Sequence, residues 1–298
     1  VVYEINPRWT AVGRRSGRKS GKTDRIDAQT VALLVMREST SLPIVAAEDE
    51  TVLIDVLTTE RESALAEATR LRNQIHALLL QVDPEYHDHL PTINSKAGVR
   101  ALLAFHSDAD SVLQAERASS VRRVASRLQL ALLQAEELGD RIEAMASDGY
   151  APLTEICGVS LLTAGTLAGI LGPGRRFVSD AQLAAYAGAA PLEASSAGYV
   201  RHRLNRGGNR RLNAVLYRIV LTQAHHSPAG RAYLDRKVAQ GKTRREARRA
   251  VKRYIVRAIW QSHVTTDARC SNRGSDRCAL RNVSWTTSSA SSALRHMP

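Results

Sequence analysis

Two runs of apolar residues, spaced alternately by three and four, constrain this chain more than any other feature of its sequence. The first passes through Ile54, Leu57, Ala64, Ala68, Leu71, Ile75, Leu78 and Val82, with Arg61 as its exception. The second, Val121, Val124, Leu128, Ala131, Ala135, Leu138, Ile142 and Met145, keeps the spacing throughout. That period gathers the side chains of each run onto one narrow stripe of an α-helix, and such a stripe must be covered by another helix. Two long helices are therefore expected, paired as a hairpin within the chain or with a second protomer. Pro84, Pro91 and Gly98 mark the segment between them as a turn region.

On the N-terminal side, Val-Val-Tyr-Glu-Ile reads as a strand that stops at Asn6-Pro7. A basic loop rich in Gly and Ser follows to Lys22, and Thr23 can cap a helix through Asp24, Asp27, Val31 and Leu34. The strand is already under way at Val1, which reads as a reading frame that has lost its beginning. After Ala151 small residues and Gly take over, then basic helices. The stretch 265–298, full of Ser, Thr, Arg and Asn without a sustained period, reads as a disordered tail or an out-of-frame extension. The fold class expected is mostly α with an α/β remnant at the N-terminus.

Charge narrows the partners. The chain carries a net charge of +13, and from Arg201 to Arg257 it sets 17 Lys and Arg against Asp235 and Glu246 alone. This segment exceeds the whole net charge, so a polyanion is the expected partner, either nucleic acid or an anionic membrane surface. No apolar stretch approaches the roughly 18 residues of a span, and the longest, Leu161 to Gly172, is short and broken by Gly. No signal peptide is visible, so a cytoplasmic location is expected, with nucleic acid as the partner. Aromatic residues make up 4% of the chain, which argues against base stacking as the main mode of contact. Cys157, Cys270 and Cys278 lack paired ligand spacing and read as reduced thiols.

Three motifs could carry chemistry. Asp24 and Asp27 stand three apart, on one helix face, where two carboxylates could share Mg²⁺; the alternative is a solvated face with Arg25 as ion-pair partner. The Gly158-Val159 turn before a small-residue helix resembles a helix-hairpin-helix that holds a phosphate on backbone amides, or else it is a tightly packed turn with no ligand. Ser196, followed by Arg201, Arg203, Arg206, Arg210 and Arg211, could be a nucleophile toward a phosphodiester with cations to stabilise the transition state; alternatively it sits in a flexible loop beside a nucleic-acid-binding patch. His202 is the nearest candidate base, or simply a polar residue of the basic face.

The ordered set Val-Val-x-x-Ile-Asn-Pro, Lys-Thr-Asp-Arg-x-Asp-Ala, Gly-Val-x-x-x-x-Ala, Arg-Arg-Phe177, Gln-Leu-Ala-Ala-Tyr-Ala-Gly188, Ser-Ser-x-Gly198 and Arg-Gly-Gly-Asn-Arg-Arg-Leu212 resembles the insertion-sequence transposases that join a RuvC-like DEDD domain to a C-terminal transposase domain and are guided by a structured bridge RNA. The resemblance spans about residues 1 to 263. It implies a truncated RNase H-like (RuvC-like) remnant over 1–45, a helical coiled-coil insert over 46–150, a helical transposase domain over 151–263 and a tail over 264–298. It also implies DNA cleavage and rejoining, DNA and a structured guide RNA as partners, and a homo-oligomer, dimer or tetramer. Asp24 and Asp27 become the last two acids of a Mg²⁺ site, and Ser196, with Ser195 as the adjacent alternative, becomes the nucleophile. Two departures stand out. The family's Ser-Ser-Gly-Gly is Ser-Ser-Ala197-Gly198 here, and the family's first Asp and its Glu would precede Val1, which implies weak Mg²⁺ binding. Two rival readings stay open: a non-catalytic basic nucleic-acid-binding protein, and a Mg²⁺-dependent structure-specific nuclease.

Overall fold

The computed structural model describes residues 2–5, 10–11, 23–40, 42, 45, 48–107, 111–173, 176–190, 192–193, 202–203 and 207–273, with backbone alone at 192–193, 202–203 and 264–273. Helix dominates. Near the N-terminus residues 2–5 are extended, with Tyr3 in an isolated bridge, and the Val2 carbonyl accepts from the Val45 amide at 2.8 Å. Helix α1 (Asp24–Glu38) starts where expected, because the Thr23 hydroxyl accepts from the Ile26 amide at 3.3 Å. No residue of α1 is buried. The α/β character of the first 45 residues is thus carried, among the described residues, by one bridge, a helical stretch at residues 10–11 and helix α1.

Helices α2 (Glu50–Val82) and α5 (Val112–Gly149) form the hairpin, joined by α3 (Tyr86–His89) and α4 (Lys96–Leu103). Cross-links show the antiparallel sense: Arg117 reaches the Gln81 carbonyl, Arg127 reaches Glu67, and Arg61 reaches the Ala135 carbonyl. Of the two pairings open to the heptad stripes, the chain thus makes the one within itself. Ile54, Leu57, Ala68, Leu71 and Ile75 are buried against Val121, Val124, Leu128, Ala131, Ala135, Leu138 and Ile142. At the far end of α2 the register shifts by one residue: Leu79 is buried and Leu78 only partly, because the stripe turns there to meet Tyr86, Leu102 and Phe105 of the connecting segment. Arg61, the exception in the first stripe, donates from Nε to the Ala135 carbonyl at 3.0 Å and lies over Gly139. A long side chain fits there because the facing residue has none.

The 3₁₀ turn Ala151–Glu155 leads to α6 (Leu161–Leu171), which crosses both hairpin helices. Small residues let it approach: a Cβ on Gly165 would sit 2.5 Å from Ile142 Cγ2, and one on Gly169 would sit 2.9 Å from the Asp55 backbone. Beyond it come α7 (Asp180–Tyr186), the two-residue strands β1 (Leu192–Glu193) and β2 (His202–Arg203), α8 (Arg210–His226), α9 (Pro228–Ala239) and α10 (Arg244–Arg273). Leu153, Leu167, Leu171, Leu183, Leu212, Leu216 and Ile255 form the core of this helical part. A smaller cluster, Ile54, Leu57, Leu138, Ile142 and Ala168, joins it to the hairpin. Each large aliphatic in that joint contributes about 1.5–3 kcal/mol by burial, more than the roughly 0–1 kcal/mol of an exposed ion pair, so apolar packing holds the two parts together and ion pairs set their alignment. No helix among the described residues is long and apolar enough to cross a membrane.

Candidate nucleic-acid interface

Both acids lie in the first turn of α1, Asp24 exposed and Asp27 half-buried, where the helix dipole favours negative charge. Among the described residues no group of three or more His, Cys, Asp or Glu is placed to hold a metal ion. Mg²⁺ is commonly held by one or two protein carboxylates, with water and substrate phosphates completing its shell, and two acids in one helix turn fit that donor set.

Ser195, Ser196, Arg201 and Arg206 lie outside the described residues, as do the side chains of His202 and Arg203. Their roots are described. Strands β1 and β2 pair antiparallel, Leu192 opposite Arg203 and Glu193 opposite His202, so the chain leaves and re-enters at one place. Just beyond, Gly208 rests on the backbone of Gly188, where a Cβ would meet the Gly188 nitrogen at 2.2 Å. The Asn209 amide donates to the Tyr186 carbonyl at 2.7 Å, and its Nδ2 donates to the Tyr186 hydroxyl at 2.8 Å. Asn209 Oδ1 meanwhile accepts from the Leu212 amide at 3.0 Å and caps α8. Thus Gln-Leu-Ala-Ala-Tyr-Ala-Gly188 and Arg-Gly-Gly-Asn-Arg-Arg-Leu212, distant in sequence, are two halves of one joint.

Arg176 extends that joint. It donates to the Ile170 and Leu171 carbonyls at 3.1 and 3.0 Å and reaches the Tyr186 hydroxyl at 3.4 Å. It also forms an ion pair with Glu4, and its guanidinium lies 4.9 Å from the Tyr186 ring centroid. One side chain therefore ties the N-terminal extended segment to the end of α6 and to the base of the serine-bearing stretch. In the sequence Arg176 and Tyr186 stand in two separate motifs, Arg-Arg-Phe177 and Gln-Leu-Ala-Ala-Tyr-Ala-Gly188, and nothing local assigns them this role. The signal was present: an Arg and a Tyr within apolar, small-residue surroundings have to be hydrogen-bonded to be tolerated there.

The basic helices divide by what their cations already hold. Arg211 donates from Nη1 to Asp55 at 2.9 Å and from Nε to Glu62 at 2.8 Å, bridging α8 to α2. Arg253 and Arg257 pair with Asp180 at 2.8 and 3.2 Å, and these partners hold its carboxyl below the ordinary carboxylate value. The buried Lys252 donates to Asn213 Oδ1 at 2.6 Å, and desolvation lowers its pKa. By contrast, Arg210 and Arg218 on α8, Lys242 in the α9–α10 connection, and Arg244 and Arg245 at the start of α10 are exposed. Phosphates can reach this second group without breaking the fold.

The Gly-Val turn is packed on one side. Gly158 adopts a positive φ of 90°, which an L side chain rarely tolerates. A Cβ there would also press on Thr222 at 3.1 Å, and the Cys157 carbonyl accepts from Gln223 Nε2 at 3.0 Å. Ser160 caps α6 by accepting from the Thr163 amide at 3.3 Å.

The comparisons with known proteins fall on these same segments. The DEDD model of the IS110 type, described as "Transposase", matches residues 1–84, and the model described as "Transposase IS116/IS110/IS902 family" matches residues 150–235. The chain is 28% identical to the "Insertion element IS110 uncharacterized 43.6 kDa protein" of Streptomyces coelicolor, over 76% of its own length and 66% of that relative's. It therefore spans just under two thirds of the length of the relative it matches. The first matched segment holds Asp24, Asp27, Asp55 and Glu62; the second holds Arg176, Tyr186, Ser195, Ser196 and Arg211.

Proposed function

From a chain that carries these two IS110-type transposase domains, we propose a transposase of an insertion sequence, which binds DNA, cuts a strand and rejoins it. The observation that carries this reading is that the two matched segments touch: Arg176 of the second holds Glu4 in the N-terminal extended segment, and Arg211 holds Asp55 and Glu62 of the hairpin helix α2. A composite site needs the two segments held against each other. In this reading Ser196 Oγ bonds to the scissile phosphorus, its proton passes to a base, and the leaving deoxyribose oxygen departs. The phosphoester is conserved on the enzyme, so rejoining by the reverse attack needs no external energy source. Arg201, Arg203, Arg206 and Arg210 would neutralise the phosphate, and Ser195 is the neighbouring alternative nucleophile. Arg211, already bound to two carboxylates, would position α8 and meet phosphate only at its edge.

Asp24 and Asp27 would be part of a Mg²⁺ site, which in such enzymes polarises the phosphodiester; further ligands would have to join them. The RNase H-like fold of the first segment, a structured guide RNA, a dimer or tetramer joined through the hairpin, and action in the cytoplasm complete the proposal. The exposed cations Arg210, Arg218, Lys242, Arg244 and Arg245 support one second reading equally, a protein that binds nucleic acid without cutting it.

Incubation with end-labelled duplexes from both flanks of its own coding sequence, followed by denaturation, separates the two. The transposase reading expects a covalent protein–DNA adduct that disappears in Ser196→Ala and survives in Ser195→Ala. An adduct that survives the double substitution removes serine from the mechanism. Salt-sensitive binding with no adduct and no strand cleavage supports the second reading.

A further inference from the structure

The low aromatic content of the whole chain argues against base stacking, yet α9 and α10 bring two tyrosines together on the basic surface. The Tyr254 ring of α10 lies 6.3 Å from that of Tyr233 on α9, with the planes 32° apart. Arg236 and Lys237 place their cationic groups 5.1 and 5.5 Å from the Tyr233 centroid. Tyr233 packs against the C-terminal core, which fixes the pair, whereas Tyr254 is 66% exposed and adds little to that core. The surroundings are strongly cationic: Arg231, Lys242, Arg244 and Arg245 are exposed on the same two helices and their connection, against Asp235 and Glu246 as the acids of that stretch.

We propose that Tyr254, backed by Tyr233, is a stacking site for one unpaired base of a DNA strand, with Arg236 and Lys237 near enough to take the adjoining phosphates. The proposal rests on the DNA-binding reading above and adds strand state to it. Cations alone attract any polyanion and do not distinguish a duplex from a single strand. A ring face does, because in a duplex each base is already stacked on its neighbours and an unpaired base offers a free π-face. Charge complementarity points to nucleic acid as the occupant: the partner must be anionic and must carry flat apolar groups spaced along its charges. A strand-transfer reaction exposes unpaired DNA at the moment of exchange, so such a site would hold the freed strand.

The test is fluorescence anisotropy with a labelled single-stranded DNA lacking self-complementarity and with its duplex, on the full chain. Tyr254→Ala should weaken single-strand binding roughly five-fold or more, leave duplex affinity unchanged, and leave the salt slope unchanged because no charge is lost. Tyr254→Phe should retain single-strand affinity, since the ring remains. Thermal melting of both variants checks the fold, which an exposed side chain should not disturb. Unchanged single-strand affinity in Tyr254→Ala, or an equal loss on the duplex, overturns the site alone. A chain that binds neither form overturns the DNA-binding reading and this site with it.

Discussion

Arg211 and Asp55 are 156 positions apart in sequence, yet the Arg211 guanidinium donates to the Asp55 carboxylate at 2.9 Å. The same guanidinium also holds Glu62, so a residue of the most basic motif acts as a clamp between the helical hairpin and α8. Its neighbour Arg210 is exposed. Consecutive arginines in a basic motif thus have separate tasks, set by the roughly 100° that one residue turns a helix.

That division predicts opposite phenotypes. Arg210→Ala should lower affinity for DNA and make the log-log salt dependence shallower by about 0.9 for one lost phosphate contact on duplex DNA, with no change in melting temperature. Arg211→Ala should leave the slope nearly as it is and lower stability by about 1 kcal/mol, since the pair is partly exposed. Anisotropy across a salt series and thermal melting measure the two effects; a slope change confined to Arg211→Ala would reverse the assignment.

The crossing of α6 over the hairpin predicts a graded response to added methyl groups. Gly169→Ala should destabilise the chain by about 1–3 kcal/mol, because its Cβ would run into the backbone of Asp55 at 2.9 Å. Gly165→Ala meets the Cγ2 end of Ile142 first, and pairing it with Ile142→Leu, which has no methyl branch at Cβ, should recover part of the loss by relieving the close contact. Urea unfolding of the single and double variants tests this. Equal effects at the two glycines, with no rescue at Gly165, would mean that the helices separate rather than repack.

Asp180 gives the acid dependence. Its hydrogen bond from Arg253, and next that from Arg257, depress its folded pKa below the ordinary 3.8. A depressed carboxyl contributes stability that is fully present above its unfolded value and lost as pH falls through the folded one. The melting temperature of the native chain should therefore exceed that of Asp180→Asn at neutral pH, and the difference should shrink below about pH 4 and vanish once Asp180 is protonated. A constant difference across that window would show that the contacts of Asp180 do not depend on its charge.

The heptad stripes illustrate how far local pattern reaches. Periodicity located both long helices and residue type located the Thr23 cap, because each is decided within a few residues of itself; the segment marked as a turn by Pro84, Pro91 and Gly98 instead holds two short helices, with Gly98 buried inside α4. The same period is equally satisfied by a partner helix from a second chain, so only the folded chain decided that the stripes cover each other. The one-residue shift from Leu78 to Leu79 and the seating of Arg61 over Gly139 are likewise products of that pairing, invisible to either helix alone.

The site divides along the same line. Asp24, Asp27, Ser196 and the arginines could be named from residue type and spacing, since carboxylates, hydroxyls and guanidinium groups carry their chemistry wherever they stand. Whether a cation is free to meet phosphate depends on what packs beside it, and that is settled by neighbours far away in the chain. Asp55 and Glu62 take up Arg211, Asp180 takes up Arg253 and Arg257, and burial takes Lys252, while Arg210, Arg244 and Arg245 are left to the solvent. The joint of Tyr186, Gly188, Gly208 and Asn209 follows the same rule. Sequence determined the inventory of groups and the helices that carry them; long-range packing, driven by burial of the aliphatic stripes, decided which groups meet and which remain exposed.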